Sequence, residues 1–436
     1  MFLSGMRRCT LIGGASLAVL APALAAAADQ APASVNSMWL LWLGIASTLV
    51  FFMQAGFALL ESGLARAKNT VNVVMKNFCD TATSTLGFWA LGHGLMFGLN
   101  PSGWIGTSDF FLQTDDGTQM MNLFYQLMFA ATCSTIMSGA VAERMRFGAY
   151  LLGATITTLL IYPVYGSWVW NPDGWLAKLG FIDAAGSSVV HAVGGWTALG
   201  AVLALGPRTG RFSRKGEVRD IPGHNLPMFA LGAFILWFGW MGFNGGAANH
   251  DFSDLAKILL NTNLGACAGL LGALLSMAVL RQPILMTRTV NGALGGLVAV
   301  TAGCKTMSPE YAIYAGAVAG LLIAAGERVL EQFRIDDAVG AIPVHAVCGV
   351  WGTIAAGIFY AGDPFNAERV MTQLIGSFAA LLWALPVSYL SFKALDKIIG
   401  LRVSAQDEQR GLDYAEHFEV GYSEFMAVQV HKGKDG

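Results

Sequence analysis

Two histidines stand in the same tetrapeptide, Val190-His191-Ala192-Val193 and Val344-His345-Ala346-Val347, and each follows an aspartate by eight residues, Asp183 and Asp337. An imidazole can both donate and accept hydrogen bonds and titrates near neutrality, so a matched pair suits the passage of protons or of a small base. Both lie in apolar stretches, where an ionisable side chain is costly unless it lines a cavity or finds a partner. The remaining chemistry is sparse. Cys9, Cys79, Cys133, Cys267, Cys304 and Cys348 occur singly, with no metal spacing and no disulfide framework, and read as small buried hydrophobes. No nucleophile, metal cluster or phosphate loop stands out, so the chain reads as a non-enzyme without catalytic residues, cofactor or metal.

The elements that position the histidines are set by composition. Of 436 residues, 55% are hydrophobic and 12% charged, against about 25% charged in a soluble domain. A net charge of −2 leaves no basic stripe for nucleic acid. The solvent implied is lipid, and the fold expected is an all-α membrane protein. Apolar segments long enough to cross about 30 Å of hydrocarbon recur near 37–63, 73–99, 119–142, 147–170, 183–206, 225–248, 255–280, 283–305, 311–331, 340–361 and 370–394. This predicts eleven transmembrane helices.

Ahead of them, Arg7 and Arg8, the apolar run Leu11 to Leu20 and small residues at Ala23, Ala25, Ala26 and Ala28 read as a cleaved signal peptide, residues 1–28. The mature N-terminus is then outside, and eleven crossings place the tail, residues 397–436, in the cytoplasm. Lys and Arg test this choice. Among them only Lys178, Lys257, Lys305 and Arg369 fall in segments assigned outside; apart from the signal's Arg7 and Arg8, the rest fall inside.

The VHAV echo between spans five and ten is joined by a second between spans one and six, where Ala55-Gly56-Phe57 answers Met241-Gly242-Phe243. Both are offset by five spans. They predict two five-helix repeats, about 37–206 and 225–361, with a last helix at about 370–394, all within a transmembrane domain of 29–396. Five is odd, so the repeats must be inverted. Eight residues of helix rise about 12 Å, which carries each histidine toward the middle of a core about 30 Å thick, from opposite sides.

At these residues the sequence resembles the ammonium transporter, methylammonium permease and Rhesus family. The resemblance runs through Asp183, Gly186, Val190, Gly194, Gly195, Ala198, Leu199, Gly206 and Arg208, and through the stretch from Gln54 to Thr70. Ala142-Glu143-Arg144, Gly223-His224-Asn225-Leu226-Pro227, Leu401-Arg402-Val403 and Gly411-Leu412-Asp413 also match. It implies a multi-pass protein of the inner (plasma) membrane, a homotrimer with one pore per subunit, and ammonium or ammonia as substrate.

It also implies roles. Phe129 and Trp170 flank an outer cation-recruitment site near Asp183; Phe129 and Phe243 form a hydrophobic gate; His191 and His345 line the conduit below; Trp240 and Asn244 adjoin it. The charged tail is similar to one that lies across neighbouring subunits and communicates with PII-type regulators. Three residues depart from the pattern: Ala247 where many members carry a serine at the outer site, Gly340 where some carry aspartate, and Ala184 in place of a bulkier residue.

The chemistry expected is that ammonium, held over aromatic faces, loses its proton and that neutral ammonia passes the histidines. The proton either returns outside or follows through the imidazoles. Two other functions fit the same pattern: an ammonium sensor with little flux, and an electroneutral channel for ammonia or carbon dioxide.

Overall fold

The computed structural model describes residues 37–423. The expected signal peptide and the tail beyond residue 423 lie outside the described residues. Among the described residues every regular element is helical, and the only bridges between extended segments are Met145 with Arg402 and Phe212 with Val218.

Eleven long helical segments follow one another: α1 Ser37–Leu64, α2 70–97, α3 Gly117–Ala140, α4 Phe147–Val169, α5 Ser187–Leu205, α6 Leu226–Gly245, α7 Leu255–Val279, α8 Met286–Thr301, α9 Pro309–Gln332, α10 Ile342–Ile358 and α11 Ala367–Ile399. Seven of them, α1, α4, α5, α6, α7, α9 and α11, are long and apolar enough to cross a membrane by length and composition. The chain is a multi-pass membrane protein, and its outward faces carry large apolar side chains such as Phe78, Phe234 and Leu271.

The other four fall short for identifiable reasons. In α2, Asn72, Lys76, Asn77 and Asp80 lower the hydropathy, yet all four are buried against neighbouring helices. Helices α8 and α10 are shorter than expected, and α3 carries a run of Thr and Ser on its buried face. Two bounds also move. Helix α5 begins at Ser187, not 183, because Asp183 stays outside to accept from the Gly186, Ser188 and Val189 amides. Helix α11 runs on past 394 until Gly400 turns the chain at φ 76°. Of the cysteines, Cys133, Cys304 and Cys348 are buried, whereas Cys79 and Cys267 are half-buried on the flank.

Helices α1 and α6 pack along their length, and glycine makes the approach possible. A Cβ on Gly56 would lie 3.0 Å from the Gly232 carbonyl, and one on Gly232 would lie 2.6 Å from the Gly56 carbonyl. The loops after α1, α3, α5 and α9 gather with the segment after α11 at one end, the basic end. There Glu143 takes Arg66 at 2.5 Å, and Asp336 receives Arg208 through Nε at 2.8 Å and Nη2 at 2.9 Å. Two short helices, α12 Ala405–Arg410 and α13 Leu412–His417, dock on these loops. Glu408 accepts from the Thr209 amide at 2.7 Å and Asp413 from the Asn72 amide at 2.8 Å.

Burial by itself would raise the Asp336 carboxyl, but the hydrogen bonds and charge of Arg208, with Arg144 behind them, hold it well below the usual carboxylate range. Its contribution to stability is therefore complete above the unfolded value of about 3.9, and is lost only as pH falls through the lower folded value. Asp336→Asn leaves buried Arg208 without its hydrogen-bonded carboxylate, with only Glu143 at 3.6 Å as counter-charge, and should cost about 3 kcal/mol, read as a lower unfolding temperature in detergent. In wild type this contribution should persist from pH 7 down to about pH 4.

Candidate functional site

The two histidine segments share one local design. Asp183 is followed three residues later by Gly186 at φ 110°, and Asp337 by Gly340 at φ 81°. These left-handed positions suit glycine, which has no Cβ to clash. Each aspartate then accepts from amides of the turn it precedes: Asp337 takes Gly340 at 3.0 Å and Ile342 at 2.6 Å. Each histidine sits in a π-helical turn, Ser187–Ala192 and Ile342–Val347, a local widening that recurs where a side chain must be re-aimed.

The helices then cross at reciprocal positions. A Cβ on Gly195 would come within 2.3 Å of the Ala346 nitrogen, and one on Gly349 within 2.8 Å of the Ala192 nitrogen. Each glycine lies four residues past one histidine and meets the residue that follows the other. Backbone contact at this point sets the imidazoles side by side, with Nδ1 to Nδ1 at 3.2 Å and ring centroids 5.2 Å apart. Since one Nδ1 must donate to the other, one neutral imidazole carries its proton on Nδ1 and its neighbour on Nε2. Nε2 of His191 is buried with no protein partner.

Aromatic rings pack against the imidazoles on the side away from the basic end. The His191 ring stacks on Trp240 at 5.0 Å and on Phe243 at 5.3 Å. Phe243 stacks on Phe129 at 4.1 Å with 23° between planes. Carbon atoms in contact lie about 3.5–4.0 Å apart, so nothing fits between these rings as they stand.

Trp170 meets Phe129 edge-on at 5.9 Å, and its Nε1 donates to the Asp183 carbonyl at 2.7 Å. Asp183 thus caps α5 with its carboxylate and holds Trp170 with its carbonyl. Trp240 is fixed by its Nε1 bond to Thr301 at 3.0 Å. Asn244 turns away from the stack and donates to Thr262 at 2.9 Å. Ala247 is half-buried in the turn after α6, with its amide on the Asn244 carbonyl at 3.1 Å.

The model of the Ammonium Transporter Family matches residues 41–422. The chain belongs to the ammonium transporter family. It is 42% identical to the ammonium transporter Amt2 of Archaeoglobus fulgidus over 418 residues, covering 89% of each chain. Among solved structures it is similar to one titled Sensor Amt Protein, at 36% identity and TM-score 0.84, covering 88% of this chain and 98% of that one. It is also similar to Saccharomyces cerevisiae Mep2, at 28% identity and TM-score 0.77, covering 84% and 88%.

On the other side of the imidazoles, toward the basic end, lies a cavity lined by His345, Phe57, Glu61, Trp240, Asn291 and Val344 among others. Glu61 was not singled out from the sequence, where it is one residue of the Gln54–Thr70 stretch. Its signal was an acidic residue inside span one. The reciprocal glycine contact generates a prediction here: Gly195→Val must push α5 and α10 apart, and overpacking of this kind costs about 1–3 kcal/mol. Both a lower unfolding temperature and loss of ammonium-dependent flux should be measured in the same preparation.

Proposed function

We propose that the chain transports ammonium across the cytoplasmic membrane, by taking it at an aromatic site, stripping its proton and passing ammonia along the twin histidines. The observation that carries this reading is the 3.2 Å contact between His191 and His345 beneath the Phe129–Phe243 stack. Closely packed apolar surroundings of this kind disfavour an intact ammonium ion, because a buried isolated cation sheds its proton instead.

The roles follow from the geometry. Phe129 and Trp170 offer ring surface to a cation, an attraction of about 0.5–2 kcal/mol that recruits without trapping. Asp183 sets Trp170 through its carbonyl and supplies negative charge behind the rings. Phe129 and Phe243 are the gate, and their rings must part for each passage. In the imidazole pair, a proton arriving at one Nε2 lets the shared Nδ1 proton shift across, and the far Nε2 then releases its own. Trp240 holds His191 in plane for this exchange, and Asn244 anchors the α6 end to α7.

In this reading all eleven helical segments are spans, arranged as two inverted five-helix repeats and a last helix. The basic end is cytoplasmic, and the N-terminus lies outside after cleavage of the signal. The chain assembles as a trimer, and its docked tail is where a PII-type regulator acts. The sensor reading keeps one specific support, the likeness to the Sensor Amt Protein.

Reconstituted protein on a solid-supported membrane separates the readings. A transporter that moves charge gives an ammonium-dependent current; an electroneutral channel gives flux that ignores the membrane potential; a sensor gives neither. His191→Ala and His345→Ala should each abolish the flux or change its selectivity, and wild-type flux and selectivity in both would remove the pair from the mechanism. Ala247→Ser should tighten apparent ammonium affinity about two- to tenfold, the worth of one added hydrogen bond of about 0.5–1.5 kcal/mol. The concentration dependence of the current measures it.

A further inference from the structure

The cavity on the inner side of the histidines contains an acidic group that the transport reading does not use. Glu61 on α1 is 2% exposed and lines this cavity with His345. Asn77 Nδ2 at 3.0 Å and Ser138 Oγ at 2.6 Å both donate to its Oε2, and Oε1 takes neither. Gly139 makes the room: a Cβ there would lie 2.4 Å from Val339 and 3.2 Å from the Glu61 Cγ.

A carboxyl taken this far from water is costly unless it is paired or works. The partners that hold Glu61 are neutral. Lys76 is the cation that faces it, and its Nζ is committed to the Met145 carbonyl at 2.9 Å. Asp80 and Tyr150 face the same polar pocket and are hydrogen-bonded to each other. The remaining titratable group is His345, across the cavity. That cavity measures about 20 Å³, on a scale where one water needs about 10–15 Å³, so it holds one molecule the size of water or ammonia.

We propose that Glu61 is the inner proton-binding group of the conduit, which takes the proton carried by the histidine pair and returns it to emerging ammonia. The inference rests on the transport reading above. In the first step an N–H bond of His345 breaks and an O–H bond forms on the Glu61 carboxylate, giving a neutral carboxylic acid. In the second that O–H bond breaks as ammonia takes the proton, and ammonium leaves toward the basic end. The carboxylate is restored, and each cycle carries one positive charge without any further reactant.

The test uses full-length wild type, Glu61→Gln and Glu61→Asp in proteoliposomes. Glutamine still accepts from Asn77 and Ser138 but cannot take up the proton. Its ammonium-pulse current should fall on the order of 10²-fold, while ammonia entry down an ammonia gradient stays within about twofold. Asp should retain current with a shifted pH profile. Infrared difference spectra after an ammonium pulse should show a carboxylic acid band in wild type that Glu61→Gln lacks.

Wild-type current in Glu61→Gln, or a wild type with flux but no current, overturns the role of Glu61 and leaves transport standing. A wild type with neither flux nor current removes both. If Glu61→Gln does not assemble, the infrared band decides with wild type and Glu61→Asp: its absence from wild type overturns the proposal, and its presence in wild type with a shifted position in Asp supports it.

Discussion

The site depends on how closely two helices can approach. At Gly195 and Gly349 the backbones of α5 and α10 touch each other's Ala346 and Ala192, with no space for a Cβ on either side. Everything that makes the histidine pair follows from this contact: each imidazole projects from a π-helical turn just beside the crossing, and the Nδ1 atoms come within hydrogen-bond distance. In hydrocarbon no hydrophobic force draws helices together, so small residues that let backbones approach are the means by which they associate. The α1 and α6 pair uses the same device at Gly56 and Gly232.

The crossing also explains how costly groups persist in the interior. A polar residue at membrane depth is retained when neighbouring helices supply its partners. Asp183 and Asp337 spend their carboxylates on amides that the helix starts would otherwise leave unbonded. Asn77 turns inward onto Glu61 of α1 and Ser138 of α3, Asp80 onto Tyr150 of α4, and Lys76 onto Met145 in the loop between α3 and α4. The aromatic stack from Phe129 to His191 is apolar and tightly packed, whereas the cavity beyond His345 is lined partly by polar side chains. The two sides of the histidine pair therefore differ in polarity.

The charged end has a different task. Glu143 and Asp336 are buried among Arg66, Arg144 and Arg208, and the segment after α11 returns to cover them. Val403 donates to the Arg144 carbonyl at 3.1 Å, and Arg146 donates to the Leu401 carbonyl at 2.8 Å. Through Glu408 the same segment reaches the loop after α5, through the Leu412 amide Asn69 in the loop after α1, and through Asp413 the Asn72 amide at the start of α2. A change in how the tail docks would bear directly on helices that carry Glu61 and His191.

Composition alone dictated a lipid-embedded helical chain, because too few charges exist to cover a soluble surface. The positions of the long segments were readable from hydropathy, and the repeated Asp-to-His spacing marked the two residues that meet. Sequence could not set the start of α5, since hydropathy does not show which amides Asp183 accepts from. Nor could it show that Asp336, beside the conspicuous Asp337, makes the ion pair with Arg208, or that Asn244 turns away from the rings. Glu61 was hidden for a related reason: apolar periodicity records which residues avoid water but not which of them share a cavity. Hydropathy and spacing are properties of one segment at a time. The stacking of Phe129 on Phe243, the 3.2 Å imidazole contact and the carboxyl beneath it arise between segments far apart in the chain, where only packing decides which faces meet.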